Sequence, residues 1–287
     1  MSDLPPGATA ASRVRFELAR ELAEACPPEL GREIALTGSV SRGVADDASD
    51  IELNFWTDEI PAGDQREAWL REMGGDPLVV DATAGADGTR WAICFVRDIQ
   101  IEAGWQSIGQ QRELVRQLAA GDIIDHRRLI VADTLRTGLP LRTEGLLPEW
   151  QAALAQYPAT LGERLIEESV ERWSWPPFHW ALAERGDWLV VSGRLVSDVE
   201  AVLRILCALN ERWEPDWKWL RHWTQDFQVT PDRLAERIDA IFSSSDPLRA
   251  VEQCLELILD TLRLLPPRPD ATHAIAIVEE YLAHRPA

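Results

Sequence analysis

The sequence has 287 residues, of which 46% are hydrophobic and 27% charged, a composition typical of a globular protein with one large or two ordinary domains. Its 48 acidic and 29 basic side chains give a formal net charge of −19, which repels phosphate backbones and anionic lipid, so we expect neither nucleic acid nor a membrane as a partner. The first residues lack a signal-peptide pattern and no apolar run is long enough to span a bilayer, which predicts a cytoplasmic protein.

The first third of the chain predicts one opening helix followed mainly by strands. Apolar residues at helical spacing predict a helix over residues 12–26. A second, shorter helix is predicted near residues 65–73. Strand patterns, in which apolar and polar residues alternate, cover residues 33–37, 50–56, 77–82, 91–96 and 99–105.

The remainder of the chain predicts helices. After a predicted turn at residues 137–140, Pro, Gly and Thr cluster near residues 142–148, and we place a domain boundary after residue 145. The predicted helices span residues 111–120, 127–135, 148–156, 160–173, 177–185, 189–212, 217–225, 231–242, 247–264 and 271–284. We therefore predict an α+β protein, with an α/β domain built on a small mixed sheet over 1–145 and an all-helical domain over 146–287.

The four cysteines are far apart in the sequence, at positions 26, 94, 207 and 254. Their spacing matches neither a zinc site nor a disulfide framework. We therefore expect buried thiols.

Residues that could bind a phosphate or a metal ion lie at the end of the first predicted strand and on the second. Gly38 and Ser39 end the first strand, where a glycine lets the backbone approach a phosphate and a hydroxyl can point at it. Asp50 and Glu52 lie two apart on the next strand, so their carboxylates leave the same face, with α-carbons about 7 Å apart. Two hard oxygen ligands so placed suit a magnesium ion that bridges nucleotide phosphates.

These residues together resemble a family signature. Gly38-Ser39, Arg42-Gly43 and the string Ser49-Asp50-Ile51-Glu52 are similar to the motif of the DNA polymerase β superfamily of nucleotidyltransferases, in its antibiotic-modifying and minimal branches. The resemblance implies a Gly-Ser turn against a nucleoside triphosphate, an Asp-x-Glu strand that binds two magnesium ions, and a third carboxylate from a later strand. It also implies supporting contacts from Arg42 and Ser49.

The third carboxylate is expected on a strand beside the first two. Glu102 leaves the face opposite to Ile99 and Ile101, so it can reach Asp50 and Glu52 across the sheet. In the resembling families this residue completes the metal site or removes the proton from the attacking hydroxyl. Asp81 and Asp98 are the competing candidates.

The helical half resembles that of streptomycin- and spectinomycin-type aminoglycoside adenylyltransferases and uncharacterised relatives. There an arginine and a lysine contact the triphosphate, and Arg204 and Lys218 are the matching positions, with one extra residue between them here. Lys218 is the one lysine among the 29 basic residues. Its neighbours Trp217 and Trp219 are expected to shield it from water.

The resemblance implies transfer of a nucleoside monophosphate, most simply AMP from ATP, to a hydroxyl with release of pyrophosphate. The excess of acidic over basic residues favours a small cationic acceptor such as an aminoglycoside. Two alternatives remain open: a protein-modifying or antitoxin-like nucleotidyltransferase whose partner is a toxin, and a nucleotide-binding module without catalysis.

Overall fold

The computed structural model describes residues 3–80, 88–175 and 178–286. Three predicted features fall partly or wholly outside these residues: the candidate Asp81, the end of the predicted strand 77–82 and the start of the predicted helix 177–185. The chain divides into two compact units, Met1–Gln156 and Tyr157–Ala287.

The first unit combines a sheet with six helices among its described residues. The strands are β1 (Glu33–Thr37), β2 (Ile51–Thr57), β3 (Asp76–Val80), β4 (Arg90–Val96), β5 (Ile99–Ser107) and β6 (Leu139–Arg142). The helices are α1 (Ala10–Ala25), α2 (Gly38–Ser41), α3 (Gly63–Glu72), α4 (Ile108–Ala119), α5 (His126–Thr137) and α6 (Leu146–Ala153). The five predicted strands are confirmed to within two residues wherever both ends are described.

The strands form one sheet in the order β3-β4-β5-β2-β1-β6. The pair β2 and β5 is parallel and the other pairs are antiparallel, which confirms the predicted mixed sheet. The turn predicted at residues 137–140 is wrong in its second half, because Leu139 begins β6. Pro140 suggested a turn, but β6 is an edge strand, where a missing N–H is tolerated.

The two faces of the sheet differ in chemistry. One face carries apolar side chains that pack against α1 and α3 and form the core of the unit, among them Ile34, Leu53 and Phe55 from β1 and β2. The alternate positions of the same strands turn polar side chains to the opposite face, including Thr37 and Glu52. The core therefore fixes which residues lie on the polar face, as the alternation predicts.

The boundary between the two units lies after Gln156, whereas the sequence places the domain boundary after residue 145. Helix α6 belongs to the first unit because its Trp150 packs edge-to-face on Trp56 of β2, with ring centroids 5.2 Å apart. Glu33 of β1 also accepts hydrogen bonds from the amides of Glu144 and Leu147 at the start of α6, at 2.8 and 2.9 Å. Both contacts join α6 to the sheet.

All regular structure described in the second unit is helical, as predicted. The helices are α7 (Ala159–Glu171), α8 (His179–Glu184), α9 (Trp188–Leu209), α10 (Leu220–Thr224), α11 (Leu234–Ser243), α12 (Pro247–Arg263) and α13 (Pro269–Ala283). The long helix α9 packs on α7 and α12. Among the described residues, none of the helices combines the length and apolarity needed to cross a membrane.

The four cysteines are buried and free, in agreement with the predicted thiols. Burial raises the pKa of the Cys26 thiol to about 12, although the Arg142 guanidinium beside it acts in the opposite direction. Burial also raises the pKa of Cys94 to about 11. Both thiols therefore stay protonated at neutral pH.

Candidate functional site

Two acidic residues face each other at the centre of the polar sheet face. Glu52 of β2 and Glu102 of β5 are register partners in the parallel pair, and Glu52 is also the register partner of Thr37 on β1. Partners on neighbouring strands lie about 5 Å apart and on the same face. The sheet therefore brings together Glu52 and Glu102, two of the three predicted carboxylates.

The Glu52 carboxylate lies directly against the Gly-Ser turn. Gly38 has a φ of +70°, and a Cβ built on it would lie 2.5 Å from Glu52 Cδ and within 2.6 Å of both carboxylate oxygens. Thr37 Oγ1 lies 3.5 Å from Glu52 Oε2 and accepts a hydrogen bond from Asn54 Nδ2 at 2.8 Å. The positive φ favours glycine at this position, and the absence of a side chain leaves room for the Glu52 carboxylate.

The turn continues into the short helix α2 and is closed by local hydrogen bonds. Ser41 Oγ donates to the carbonyl of Gly38 at 3.0 Å, and the amide of Val44 donates to the carbonyl of Ser39 at 3.0 Å. The side chain of Arg42, at the end of α2, pairs with Asp133 of α5. These bonds hold Gly38 and Ser39 in one place beside β2.

The loop before β2 is held by an arginine that the motif analysis missed. Arg15 of α1 is only 7% exposed, and its Nε and Nη2 donate to the carbonyls of Ser49 and Asp47 at 2.7 and 2.8 Å. Ser49 Oγ donates to Asp46 Oδ1 at 2.9 Å and so closes the loop on itself. The signal in the sequence was an arginine at helical spacing from Leu22, on the apolar face of the first helix.

Asp50 comes immediately before β2 and is partly exposed. Within residues 3–80, 88–175 and 178–286, no three His, Cys, Asp or Glu side chains are grouped as metal ligands. Asp98, a competing candidate, is exposed in the turn between β4 and β5, with a φ of +63°. Asp81 lies outside the described residues.

A neighbouring amide orients Glu102. Gln100 precedes it by two residues on β5, and its Nε2 donates to Glu102 Oε1 at 2.9 Å. Strand alternation places residues 100 and 102 on one face, so the sequence predicts that the Gln100 side chain lies close to the candidate carboxylate Glu102.

The comparisons with known proteins add little to this geometry. No family model matches the chain, and the search of curated proteins finds no match. Among solved structures, the chain is similar to a nucleotidyltransferase-like protein from Exiguobacterium sibiricum 255-15, with 11% sequence identity and a TM-score of 0.38. That similarity covers 94% of this chain and 78% of the other.

Arg204 lies in the second unit, where two carboxylates engage its side chain. Its Nε lies 3.0 Å from Glu214 Oε1, and its Nη1 lies 3.2 Å from Glu168 Oε2. Glu214 is almost completely buried. These ion pairs fix the direction of the guanidinium on α9, and a contact with the triphosphate stays a prediction.

Lys218 is more exposed than its neighbours suggested. Its side chain is 71% exposed, and its Nζ lies 3.8 Å from Asp216 Oδ2. The expectation that tryptophans shield it is wrong, because Trp217 packs on Trp223 instead, with ring centroids 5.5 Å apart. An exposed ammonium in the loop before α10 remains accessible to a phosphate.

The donor chemistry of the polar sheet face fits a magnesium ion. Carboxylate oxygens are the ligands that magnesium prefers, and Glu52 and Glu102 present them from adjacent strands. Glu52 also lies beside the Gly38 turn, where a phosphate bound to the same ion would approach the backbone. Glu52 and Glu102 are the two carboxylates that could hold the metal, and Asp50 as a third ligand stays a prediction, because the described residues include no group of three such side chains.

Proposed function

We propose that the chain is a nucleotidyltransferase that transfers a nucleoside monophosphate from a triphosphate to a hydroxyl group, releasing pyrophosphate. The observation that carries the proposal is the position of the Glu52 carboxylate. It lies against the Gly38 turn on one side and opposite Glu102, its register partner, on the other.

The triphosphate is held by the turn and its surroundings. Gly38 and Ser39 grip the phosphates, with Arg42 and Ser49 as supporting contacts. The phosphate contacts that the resemblance implies for Arg204 and Lys218 stay predictions. Magnesium bound by Asp50, Glu52 and Glu102 would supply positive charge to the phosphates during transfer. We propose two such ions and ATP as the donor.

Glu102 has a second role as the base for the acceptor. A carboxylate at this position can take the proton from the attacking hydroxyl, and the hydrogen bond from Gln100 keeps the Glu102 carboxylate in a fixed orientation. The acceptor is a small molecule, and the net charge of −19 favours a cationic one such as an aminoglycoside.

The test is pyrophosphate release. The protein is incubated with magnesium and each nucleoside triphosphate across a panel of aminoglycosides and other hydroxyl-bearing small molecules. We expect release with at least one pair, and a fall of about 10²- to 10³-fold in Asp50→Asn, Glu52→Gln and Glu102→Gln, because each removes a charge from the reacting centre. Asp47→Asn is the matched control, since Asp47 is an exposed acidic residue of the same loop.

Two results would contradict the proposal. An unchanged rate in Asp50→Asn or Glu102→Gln would show that the carboxylates do not take part. Triphosphate binding by calorimetry without pyrophosphate from any acceptor would favour the nucleotide-binding module.

A further inference from the structure

A carboxamide lies close to the two glutamates on the polar face of the sheet. Asn54 follows Glu52 by two residues on β2 and therefore leaves the same face of the strand. Its register partners are Ala35 on β1, which carries only a methyl group, and Gly104 on β5, which has no side chain. Neither partner fills the space around Asn54, so its carboxamide can reach residues at the next level of the sheet.

The carboxamide of Asn54 reaches diagonally across to β1. Its Nδ2 donates to Thr37 Oγ1 at 2.8 Å, and Thr37 is the register partner of Glu52. Thr37 is 1% exposed and comes immediately before the Gly38 turn. The hydrogen bond therefore joins Asn54 to a residue that lies both beside Glu52 and at the start of the turn.

This hydrogen bond determines the direction of the Thr37 hydroxyl. An amide N–H can only donate, so Thr37 Oγ1 accepts from Asn54 and its own hydrogen points to another acceptor. In the described part of the chain, the acceptors within its reach are the main-chain oxygen and Oε2 of Glu52, both at 3.5 Å. A contact of this length is weak by itself. Because Asn54 fixes the direction of the donor, the hydroxyl can still orient the Glu52 carboxylate.

The two glutamates of the site are oriented in parallel ways. Gln100 precedes Glu102 by two residues and donates directly to its Oε1 at 2.9 Å. Asn54 follows Glu52 by two residues, has a side chain one methylene shorter than glutamine, and acts through Thr37. Hydrogen bonds from neighbouring groups of this kind fix the direction of carboxylates that bind metal ions.

We infer that Asn54 is a positioning residue of the candidate site, which orients the Glu52 carboxylate toward a divalent cation through the Thr37 hydroxyl. The inference rests on the metal site of the proposed function, because the cation is the one that Glu52 and Glu102 would hold. An oriented carboxylate loses less side-chain freedom when it binds the ion, so the Asn54–Thr37 pair raises the affinity of the site for metal. Asn54 acts through Thr37 and is not itself a ligand.

The test is the binding of manganese, a paramagnetic substitute for magnesium, to the full chain without triphosphate. The readout is the loss of the free-ion signal in electron paramagnetic resonance. Asn54→Leu removes the donor, and Thr37→Val removes the hydroxyl with little change in shape. We expect each variant to weaken manganese affinity about three- to tenfold, the loss of one neutral hydrogen bond. The double variant should lose no more than either single variant, because both residues belong to one chain of contacts.

Two controls separate positioning from folding. Thr37→Ser keeps the hydroxyl and should restore most of the affinity that Thr37→Val loses. Asn210→Leu changes the other asparagine of the chain, whose Nδ2 donates to the carbonyls of Leu206 and Val229 in the helical unit. It should lower stability in urea unfolding and leave manganese affinity unchanged. If Asn54→Leu folds poorly, the comparison of Thr37→Val with Thr37→Ser still tests the hydroxyl.

Pyrophosphate release gives an independent readout. Asn54→Leu should require more magnesium for its half-maximal rate, whereas its KM for the triphosphate at saturating magnesium should not change. Equal manganese affinity in the parent and both single variants, a loss in Asn54→Leu that persists in full beside Thr37→Val, or no saturable binding by the parent would overturn the inference. Weaker manganese binding in both variants of a chain that releases no pyrophosphate would support the inference and contradict the proposed function.

Discussion

The Glu52 carboxylate occupies the space that a side chain at Gly38 would fill, with Glu52 Cδ 2.5 Å from the position of a Cβ. Two independent constraints meet at Gly38: the left-handed backbone conformation and the close approach of the carboxylate. Together they tie the conformation of the turn to the position of the Glu52 carboxylate. The cost of the backbone conformation and the cost of the contact with Glu52 can be separated by substitution.

We expect Gly38→Ala to destabilise the protein more than Gly74→Ala. Both glycines have a positive φ, of +70° and +76°, so alanine is strained at each by about 1–2 kcal/mol. A Cβ on Gly74 meets no atom within 4 Å, whereas one on Gly38 overlaps the carboxylate end of Glu52, which must change its side-chain conformation, adding about 0.5–1.5 kcal/mol. Urea unfolding of both variants measures the difference, and equal losses would show that the Glu52 side chain moves away freely.

Arg15 is expected to act as a positioning residue for Asp50. Replacing it by leucine leaves the carbonyls of Asp47 and Ser49 without their donors, which costs about 1–3 kcal/mol of unfolding free energy. The loop before Asp50 then loses its anchor, so pyrophosphate release should fall as well. Arg13→Leu is the control, since Arg13 is exposed on the same helix.

The activity arm of this experiment separates two explanations. Arg15→Lys retains a cation but not the two-carbonyl geometry, so we expect it to restore part of the stability and less of the rate. Rates that follow stability alone across the three variants would assign Arg15 a purely structural role.

Glu33 should be among the most sensitive positions of the first unit. Its carboxylate is fully buried and accepts hydrogen bonds from Thr143 Oγ1 at 2.6 Å and from the amides of Glu144 and Leu147. Glu33→Gln turns an amide donor toward these donors, and we expect it to cost about 2–3 kcal/mol in urea unfolding. Glu29→Gln, at an exposed position, should change stability by less than about 0.5 kcal/mol. Similar values for the two variants would contradict this account of α6.

Much of the sheet could be predicted because its strands have one apolar face. The alternation of Ile51, Leu53 and Phe55 with Asp50 and Glu52 predicts both the strand and the side on which the carboxylates lie, since burying one set exposes the other. Edge strand β6 lacks this signal, because it is only four residues long and half-buried throughout. Its pairing depends on long-range contacts, such as the hydrogen bond of 2.8 Å from Arg142 to the carbonyl of Gly31.

The sequence predicts the site residues whose positions follow from a local motif, and it does not predict those whose positions depend on tertiary packing. Gly38, Glu52 and Glu102 follow from a motif and a two-residue period, and the sheet register joins the two glutamates. The exposure of Lys218 did not follow, because Trp217 has a choice of packing partners that the sequence does not rank. The role of Arg15 depends on a loop more than thirty residues away.

Stability should fall at alkaline pH because of the buried thiols. The pKa of Cys26 is raised from 9.0 to about 12 by burial, partly offset by Arg142, and that of Cys94 from 9.0 to about 11 by burial. Above pH 9 the unfolded chain therefore loses thiol protons that the folded protein retains, so the unfolded state gains stability as pH rises. Each thiol contributes a decline of up to about 1.4 kcal/mol per pH unit, from pH 9 until the folded thiol also ionises.

Urea unfolding between pH 8 and pH 10.5 measures this slope, and Cys26→Ala isolates the contribution of one thiol. The variant loses stability at every pH because it leaves a cavity, but its decline above pH 9 should be shallower than that of the parent protein. Cys94→Ala should behave in the same way. Parallel curves for the parent and both variants would show that these thiols do not titrate differently in the folded and unfolded states.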